Sequence, residues 1–583
     1  MTSPSHVQHE QEQGLGGDQT HDGDTSEEVG ASGIAKRASV TRREDGSWRG
    51  GTVRRKSSSV VGSLRGRGRF GRMKKAIVTF GKFVGPGFMV AVAYIDPGNY
   101  ATDVAAGASY QFRLLFIVLL SNIFAIFLQA LSIKLGTVSG LNLAEACRAF
   151  LPSWLNVILY LMAEAAIIAT DIAEVIGTAI ALNLLIPQIP LVAGCALSIL
   201  EVMAILFFYD PSGSMKGLRA FEFMVMLLVL AVVVCFCIQL SLIQDTSVGD
   251  VFRGYLPSSV LIEQTALYQA CGILGATVMP HSLYLGSGIV QARLFDFDKQ
   301  SGLLPPTPGV ESTSSSVNNG SVGSNKRMYM PSVTAIEHSL KYSVAELVIC
   351  LFTFALFVNS AILIVAGASL YGAPEAIDAD LFGIHRLLSS SIAPAAGTVF
   401  ALALLFSGMS AGIVCTIAGQ MVSEGALNWT LKPWLRRLIT RSISILPSIV
   451  IAGVVGREGL DAALNGSQVA LSIVLPFVTA PLIYFTSVNK YMTVRPGMAR
   501  YEVHGEDEEG GSRASDEVDS ISGTSSQRNL LGRLRWILGR QDYPPDGVKM
   551  ANGWVVACFG VFVWLVMTVM NVANLVLLGK GAG

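Results

Sequence analysis

The chain has 583 residues, 51% of them hydrophobic and only 14% charged, with Lys+Arg and Asp+Glu balanced at 42 each. A soluble domain carries roughly a quarter charged residues. That deficit, with repeated apolar stretches of about 20 residues, excludes a purely soluble assembly and argues for one membrane-embedded unit with polar appendages. The balanced charge gives no pull towards nucleic acid.

Residues 1–75 contain no apolar run of signal-peptide type and are rich in Gly, Ser, His and charge, so a disordered arm is expected. Its basic second half, with Arg54, Arg55, Lys56, Arg65, Arg67, Arg69, Arg72, Lys74 and Lys75, favours a cytoplasmic start and contact with anionic lipid. The run Arg54-Arg55-Lys56-Ser57-Ser58-Ser59 makes the arm a candidate target for a regulatory kinase or for a trafficking or ubiquitin adaptor, with a solvated tether as the plainer reading.

Hydropathy then predicts eleven spans, at about 78–109, 113–136, 154–184, 190–209, 219–243, 263–293, 338–370, 391–425, 438–456, 465–488 and 551–578. Residues 76–488 thus form a ten-helix core, and 551–583 an extra helix with a short tail. The polar stretches 294–336 and 489–550 read as disordered loops. Short loops expected inside carry Lys134, Arg148, Lys216, Arg219, Arg293, Lys432, Arg436 and Arg437. Those expected outside carry less positive charge and more acid, such as Asp245, Asp250, Glu375, Asp378 and Asp380. An odd number of spans puts the C-terminus outside or in an organelle lumen.

Two spans carry a helix-breaking proline near their middle. The first reads Ala93-Tyr94-Ile95-Asp96-Pro97-Gly98-Asn99, the sixth Ala276-Thr277-Val278-Met279-Pro280-His281, and four ordinary spans lie between them. Broken helices at matching positions of two five-helix halves mark an inverted-repeat transporter. Freed carbonyls are tolerable at membrane depth only where they line a cavity or bind something. The breaks offer the Asp96 carboxylate, the Asn99 amide oxygen, the carbonyls of Ala93 and Ala276, and the Met279 thioether. Oxygen ligands alone suit Ca²⁺ or Mg²⁺, and a thioether shifts the preference towards Mn²⁺, Fe²⁺, Co²⁺ or Cd²⁺. The plainer alternatives are a core or lipid-facing methionine and a turn tetrapeptide at Asp96-Pro97-Gly98-Asn99.

In the third span Asp171 and Glu174 stand one turn apart, with Glu164 seven residues earlier on the same face. Three acids on one face of a membrane helix mark a relay or a cation path. His281 is suited to titrate near neutral pH, or to sit as a buried, hydrogen-bonded histidine. Eight cysteines are scattered with no C-x-x-C pair, so neither a disulfide framework nor a zinc site is expected. Sequons at Asn319, Asn428 and Asn465 fall inside or against a membrane helix, and no glycan is expected there. Glu458 and Asp461 would only attract cations at the outer mouth. No H-E-x-x-H, nucleophile elbow or phosphate loop occurs, so no enzyme activity is expected and no cofactor is implied.

Asp96-Pro97-Gly98-Asn99 and Met279-Pro280-His281 at these breaks strongly resemble the Nramp divalent-metal transporters. The likeness extends to Ala163-Glu164, Thr170-Asp171-Ile172-Ala173-Glu174-Val175-Ile176-Gly177, Ala418-Gly419-Gln420 and Glu424-Gly425. Ser282 and the Ser-Ala-Gly-Ile-Val-Cys-Thr run at 410–416 resemble the fungal Smf branch. The resemblance implies an all-α, LeuT-like inverted repeat of five plus five helices with one more span. It also implies a proton-coupled symporter importing Mn²⁺ or Fe²⁺ into the cytoplasm, in the plasma membrane or an endosomal or vacuolar membrane. It adds Gln468 to the metal ligands, and assigns the proton route to Asp96, His281, Asp171 and Glu174, with Glu164. An arginine of the ninth span, Arg441 or its neighbour Arg437, is implied as their partner. Two departures stand out: Gly286 replaces a second histidine, and Met409 replaces a glutamine. Rival readings are an organic-solute transporter of the same fold, which Asp96 would oppose by repelling a substrate carboxylate, and a membrane metal sensor or receptor.

Overall fold

A computed structural model of the chain describes residues 85–207, 209, 215–244, 246–304, 327–373, 375, 380–427, 433–503 and 547–579. The N-terminal arm, Asn319, Asn428, and the middles of both long loops lie outside these residues.

The helices run in the expected order. The first span is broken into α1 (Pro86–Val92) and α2 (Pro97–Tyr110), followed by α3 (Leu115–Ser139), α4 (Leu143–Phe150), α5 (Ser153–Leu185), α6 (Leu191–Phe207), α7 (Met215–Leu242) and α8 (Val248–Arg253). The sixth span is broken into α9 (Gln264–Thr277) and α10 (Pro280–Ile289), with α11 (Gln291–Gln300) beyond. Then come α12 (Val333–Cys350), joined by a π-helical turn at Leu351–Ala355 to α13 (Leu356–Ser369), α14 (Leu381–Ser391), α15 (Pro394–Leu427), α16 (Pro433–Val454), α17 (Arg457–Ser487) and α18 (Trp554–Gly579).

Eight of these stretches are long and apolar enough to cross a bilayer; α6 and the end of α16 are shorter apolar helices, and the broken pair α1–α2 fills the first position. The chain is therefore a polytopic, all-α membrane protein.

Helix ends follow the local sequence. Asn142 and Glu145 form a reciprocal capping box at the start of α4. Ser332 caps α12 and Asp380 caps α14 through the backbone N–H three residues on. Gly140 ends α3 in the left-handed conformation. α15 and α17 pack on α5, α13 packs on α2, and α3 and α15 pack on α10, so both broken spans are enclosed by helices of the two halves.

The long loops, expected to be disordered throughout 294–336 and 489–550, are ordered at their ends. α11 occupies the start of the first. Strand β1 (Arg327–Met330) at its far end pairs antiparallel with β3 (Arg500–Val503), in the register Arg327↔Val503 to Met330↔Arg500. A second ladder joins β2 (Thr493–Val494) to β4 (Val548–Lys549). The buried carboxylate of Asp298 organises this region. It accepts from the Tyr329 hydroxyl (2.6 Å), the Ser332 backbone N–H (3.0 Å) and the Ser332 hydroxyl (2.6 Å). Composition alone hides this, because each strand is too short to carry a period.

Candidate metal and proton site

α1 ends because Pro97 has no N–H to continue it. Its last bonds tighten to the i−3 type, from Ala93 N to Val90 O, Tyr94 N to Ala91 O and Ile95 N to Val92 O, all 3.0–3.1 Å. Side chains then replace the missing helix donors. The Tyr94 carbonyl accepts from Asn99 Nδ2 (3.3 Å) and from Asn359 Nδ2 of α13 (3.0 Å). The Ile95 carbonyl accepts from Ser407 Oγ of α15 (2.6 Å). The Ala93 carbonyl would be partnered by residue 97 in a continuous helix, and residue 97 is a proline.

Asp96 starts α2 as its cap. One carboxylate oxygen accepts from Asn99 N (3.1 Å) and Asn99 Nδ2 (2.7 Å). The other, Asp96 Oδ2, is buried with no partner, and so is Asn99 Oδ1. The same logic shapes the second break: Pro280 denies Ala276 its helical donor, and Met279, fully buried, occupies the cap of α10.

The two breaks are tied together. Tyr94 Oη lies 3.1 Å from Ser282 Oγ, and Gln129 Nε2 of α3 donates to both, at 2.9 and 2.7 Å. Gln468 of α17 stands against both as well. A methyl group at Gly98 would come within 2.0 Å of its side-chain amide nitrogen, and one at Gly275 within 3.5 Å of its backbone carbonyl oxygen. Gln468 Oε1 is a third buried oxygen with no partner.

Orphaned acceptors of this kind cost about 1–3 kcal/mol each when left buried and unpaired. Among them here are acceptor oxygens of Asp96, Asn99 and Gln468, with the Met279 thioether at the second break. That donor set fits a divalent transition metal: acceptors without donors, and a soft atom among hard ones.

The acids of α5 form a second centre. Arg441, fully buried on α16, pairs with Asp171 and stands 3.5 Å from Glu174 Oε2. Of the two arginines expected here, Arg441 makes this contact, and the Arg437 side chain lies outside the described residues. Thr170 Oγ1, one residue before Asp171 in the chain, lies 3.3 Å from His281 Nδ1. Glu164 is half-buried, with one unpartnered oxygen and no ion pair among the described residues.

The sequence reading does not single out Asp103, which stands near the first break. Asp103 is fully buried on α2 and both its carboxylate oxygens lack partners. It stands seven residues after Asp96, on the Asp96–Asn99 face, and that spacing was the available signal. Asn465 falls inside α17, as do Glu458 and Asp461, whose side chains lie outside the described residues.

Two helices broken at matching places, with four spans between them, around a buried site rich in unpaired oxygens define an inverted-repeat membrane transporter. Residues 87–496 match the family model described as Natural resistance-associated macrophage protein-like. The chain belongs to this Nramp family. It is 50% identical to the manganese transporter SMF1 of Saccharomyces cerevisiae over 515 residues, 88% of each chain. It is 48% identical to the iron transporter SMF3 of the same yeast, covering 84% of this chain and 95% of that one. The crystal structure of the Eremococcus coleocola manganese transporter superposes with a TM-score of 0.58 at 27% identity, covering 85% of this chain and 94% of that one. The fold is the LeuT-like one of five plus five helices with α18 added.

Proposed function

We propose that the chain is a proton-coupled symporter that carries divalent transition metals, Mn²⁺ or Fe²⁺, into the cytoplasm by alternating access. The observation that carries this reading is the set of three buried, unpartnered oxygens on Asp96, Asn99 and Gln468 at the broken helices, with Met279 alongside. The names of the yeast relatives, manganese and iron transporters, agree with it.

In this reading Asp96, Asn99, Met279, Gln468 and the carbonyls of Ala93 and Ala276 replace the water shell of the ion. The thioether disfavours Ca²⁺, a hard ion. Protons leave Asp96 and His281 along Thr170 towards Asp171 and Glu174, whose charge Arg441 offsets. Rocking of one half against the other then opens the site to each side in turn. The N-terminus lies in the cytoplasm and the C-terminal helix ends outside or in a lumen, in the plasma membrane or an endosomal or vacuolar membrane.

The test is Mn²⁺ uptake into proteoliposomes under an inward acid gradient, with a luminal pH dye, for wild type and Met279→Ala. Saturable uptake that acidifies the lumen is expected, with Ca²⁺ competing poorly until Met279 is removed. Correctly folded protein that moves none of Mn²⁺, Fe²⁺ or Cd²⁺ would sink the reading and favour a metal receptor.

A further inference from the structure

The two acids of α5 have a third neighbour that the transport reading does not use. One ligand atom each of Asp171, Glu174 and Cys415 lies within 4.8 Å of the others, and all three residues are buried. Cys415 comes from α15, more than 240 positions along the chain, and its thiol makes a long contact to the Ile167 carbonyl (3.6 Å) and faces the Asp171 carboxylate. Neither carboxylate oxygen of Glu174 accepts a hydrogen bond, although Oε2 stands at ion-pair distance from Arg441. A buried carboxylate held by this one ion pair, with a thiol and a second carboxylate close by, keeps lone pairs free for a cation.

We propose that Asp171, Glu174 and Cys415 form a second cation site, for a thiophilic divalent ion such as Zn²⁺, distinct from the Asp96–Met279 site. The dimensions suit it. Zinc takes thiolate sulfur at about 2.3 Å and carboxylate oxygen at about 2.0–2.2 Å, so tetrahedral donors on one ion stand about 3.5 Å apart. Side-chain shifts of up to about an ångström close the cluster on an ion. The charge balances too. Ligation releases the Cys415 proton to solvent, leaving two carboxylates and a thiolate; the dication and the neighbouring Arg441 guanidinium cancel these three negative charges. Three protein ligands leave a fourth position for water. An ion held there occupies both carboxylates of the proposed proton route. Its inhibitory consequence therefore rests on that route, while its binding does not.

Co²⁺ serves as the probe, since Zn²⁺ is spectroscopically silent. In purified Asp96→Asn protein, which lacks the first site's carboxylate, Co²⁺ is expected to bind with a near-ultraviolet sulfur-to-cobalt charge-transfer band. Adding Cys415→Ser should remove the band and weaken binding at least tenfold. In proteoliposomes of otherwise wild-type protein, Cys415→Ser should raise by at least tenfold the Zn²⁺ concentration that half-inhibits Mn²⁺ uptake. Absence of the band in Asp96→Asn protein, or its persistence after Cys415→Ser, overturns the site, and the first of these needs no folded cysteine variant. The band in Asp96→Asn protein, together with no Mn²⁺ transport by wild-type protein, would leave this site standing and bring down the transport reading instead.

Discussion

Glu346 Oε1 on α12 accepts the backbone N–H groups of both Gly85 (2.5 Å) and Gly87 (3.1 Å), so one carboxylate holds the N-terminal end of α1. Beside it, Arg293 of α11 grips Glu222 of α7 with two bonds, at 3.1 and 2.9 Å. Helix N-terminal amides favour a negative partner, worth about 0.5–2 kcal/mol at a cap. Glu346→Ala should therefore loosen α1. A single cysteine placed on α1 should become several-fold more reactive to a water-soluble thiol reagent. Unchanged reactivity would mean that α1 is held by its packing alone.

Removing Arg441 leaves Asp171 and Glu174 buried without their cation. Breaking a buried pair by deleting one partner costs about 3–5 kcal/mol. Arg441→Ala should lower the melting temperature in detergent by several degrees, and Arg441→Lys by less, since lysine keeps the charge but not the planar fork. A variant that melts with the wild type would show that the two acids are protonated in the resting protein.

Gly98→Ala tests Gln468 without touching Asp96 or Asn99. The new methyl would overlap the Gln468 amide nitrogen, which can swing aside because it ends a flexible side chain. The protein should fold, and Mn²⁺ binding should weaken about 2- to 10-fold, the worth of one neutral ligand at about 0.5–1.5 kcal/mol. Combined with Gln468→Ala, it should cost nothing further. Additive losses in calorimetric titration would place Gln468 outside the site.

Gly136→Ala differs in kind, because a methyl there meets the backbone carbonyl of Ser287 at 1.9 Å. Neither α3 nor α10 can yield locally, and overpacking of this sort costs about 1–3 kcal/mol. The control is Gly466→Ala, which faces open space. Thermal unfolding should separate the two, and equal melting would mean that the helices part freely.

Asp103→Asn should raise the KM for Mn²⁺ about 3- to 10-fold with little change in maximal rate, if its unpaired carboxylate draws cations along α2 towards Asp96. A fall in maximal rate at constant KM would assign Asp103 to the carrying step.

Much of the fold is legible in the sequence because it follows from local rules. Span length comes from bilayer thickness, and the breaks come from Pro97 and Pro280, which lack a donor wherever they stand. Asp96, Asn99 and Met279 could be read for the same reason, as neighbours of those prolines. Contacts between distant helices could not. Nothing near Cys415 in the chain announces Asp171, and nothing near Gly286 announces Gln129. A side chain at residue 286 would begin 2.2 Å from Gln129 Oε1, so the glutamine fills the space that a second histidine would need. The departure from the family pattern at Gly286 is thus a substitution of one polar group for another across two helices. The loop ends were illegible for a third reason: their order comes from cross-strand pairing and from Asp298, not from period.

The β2–β4 ladder has a consequence for the covalent chain. β2 and β4 lie on opposite sides of any backbone cut made between β3 and β4, and α18 packs on α17. One such cut should therefore give two bands on a denaturing gel while the undenatured protein still migrates as one particle, its fragments held by the β2–β4 ladder and helix packing rather than by a peptide bond.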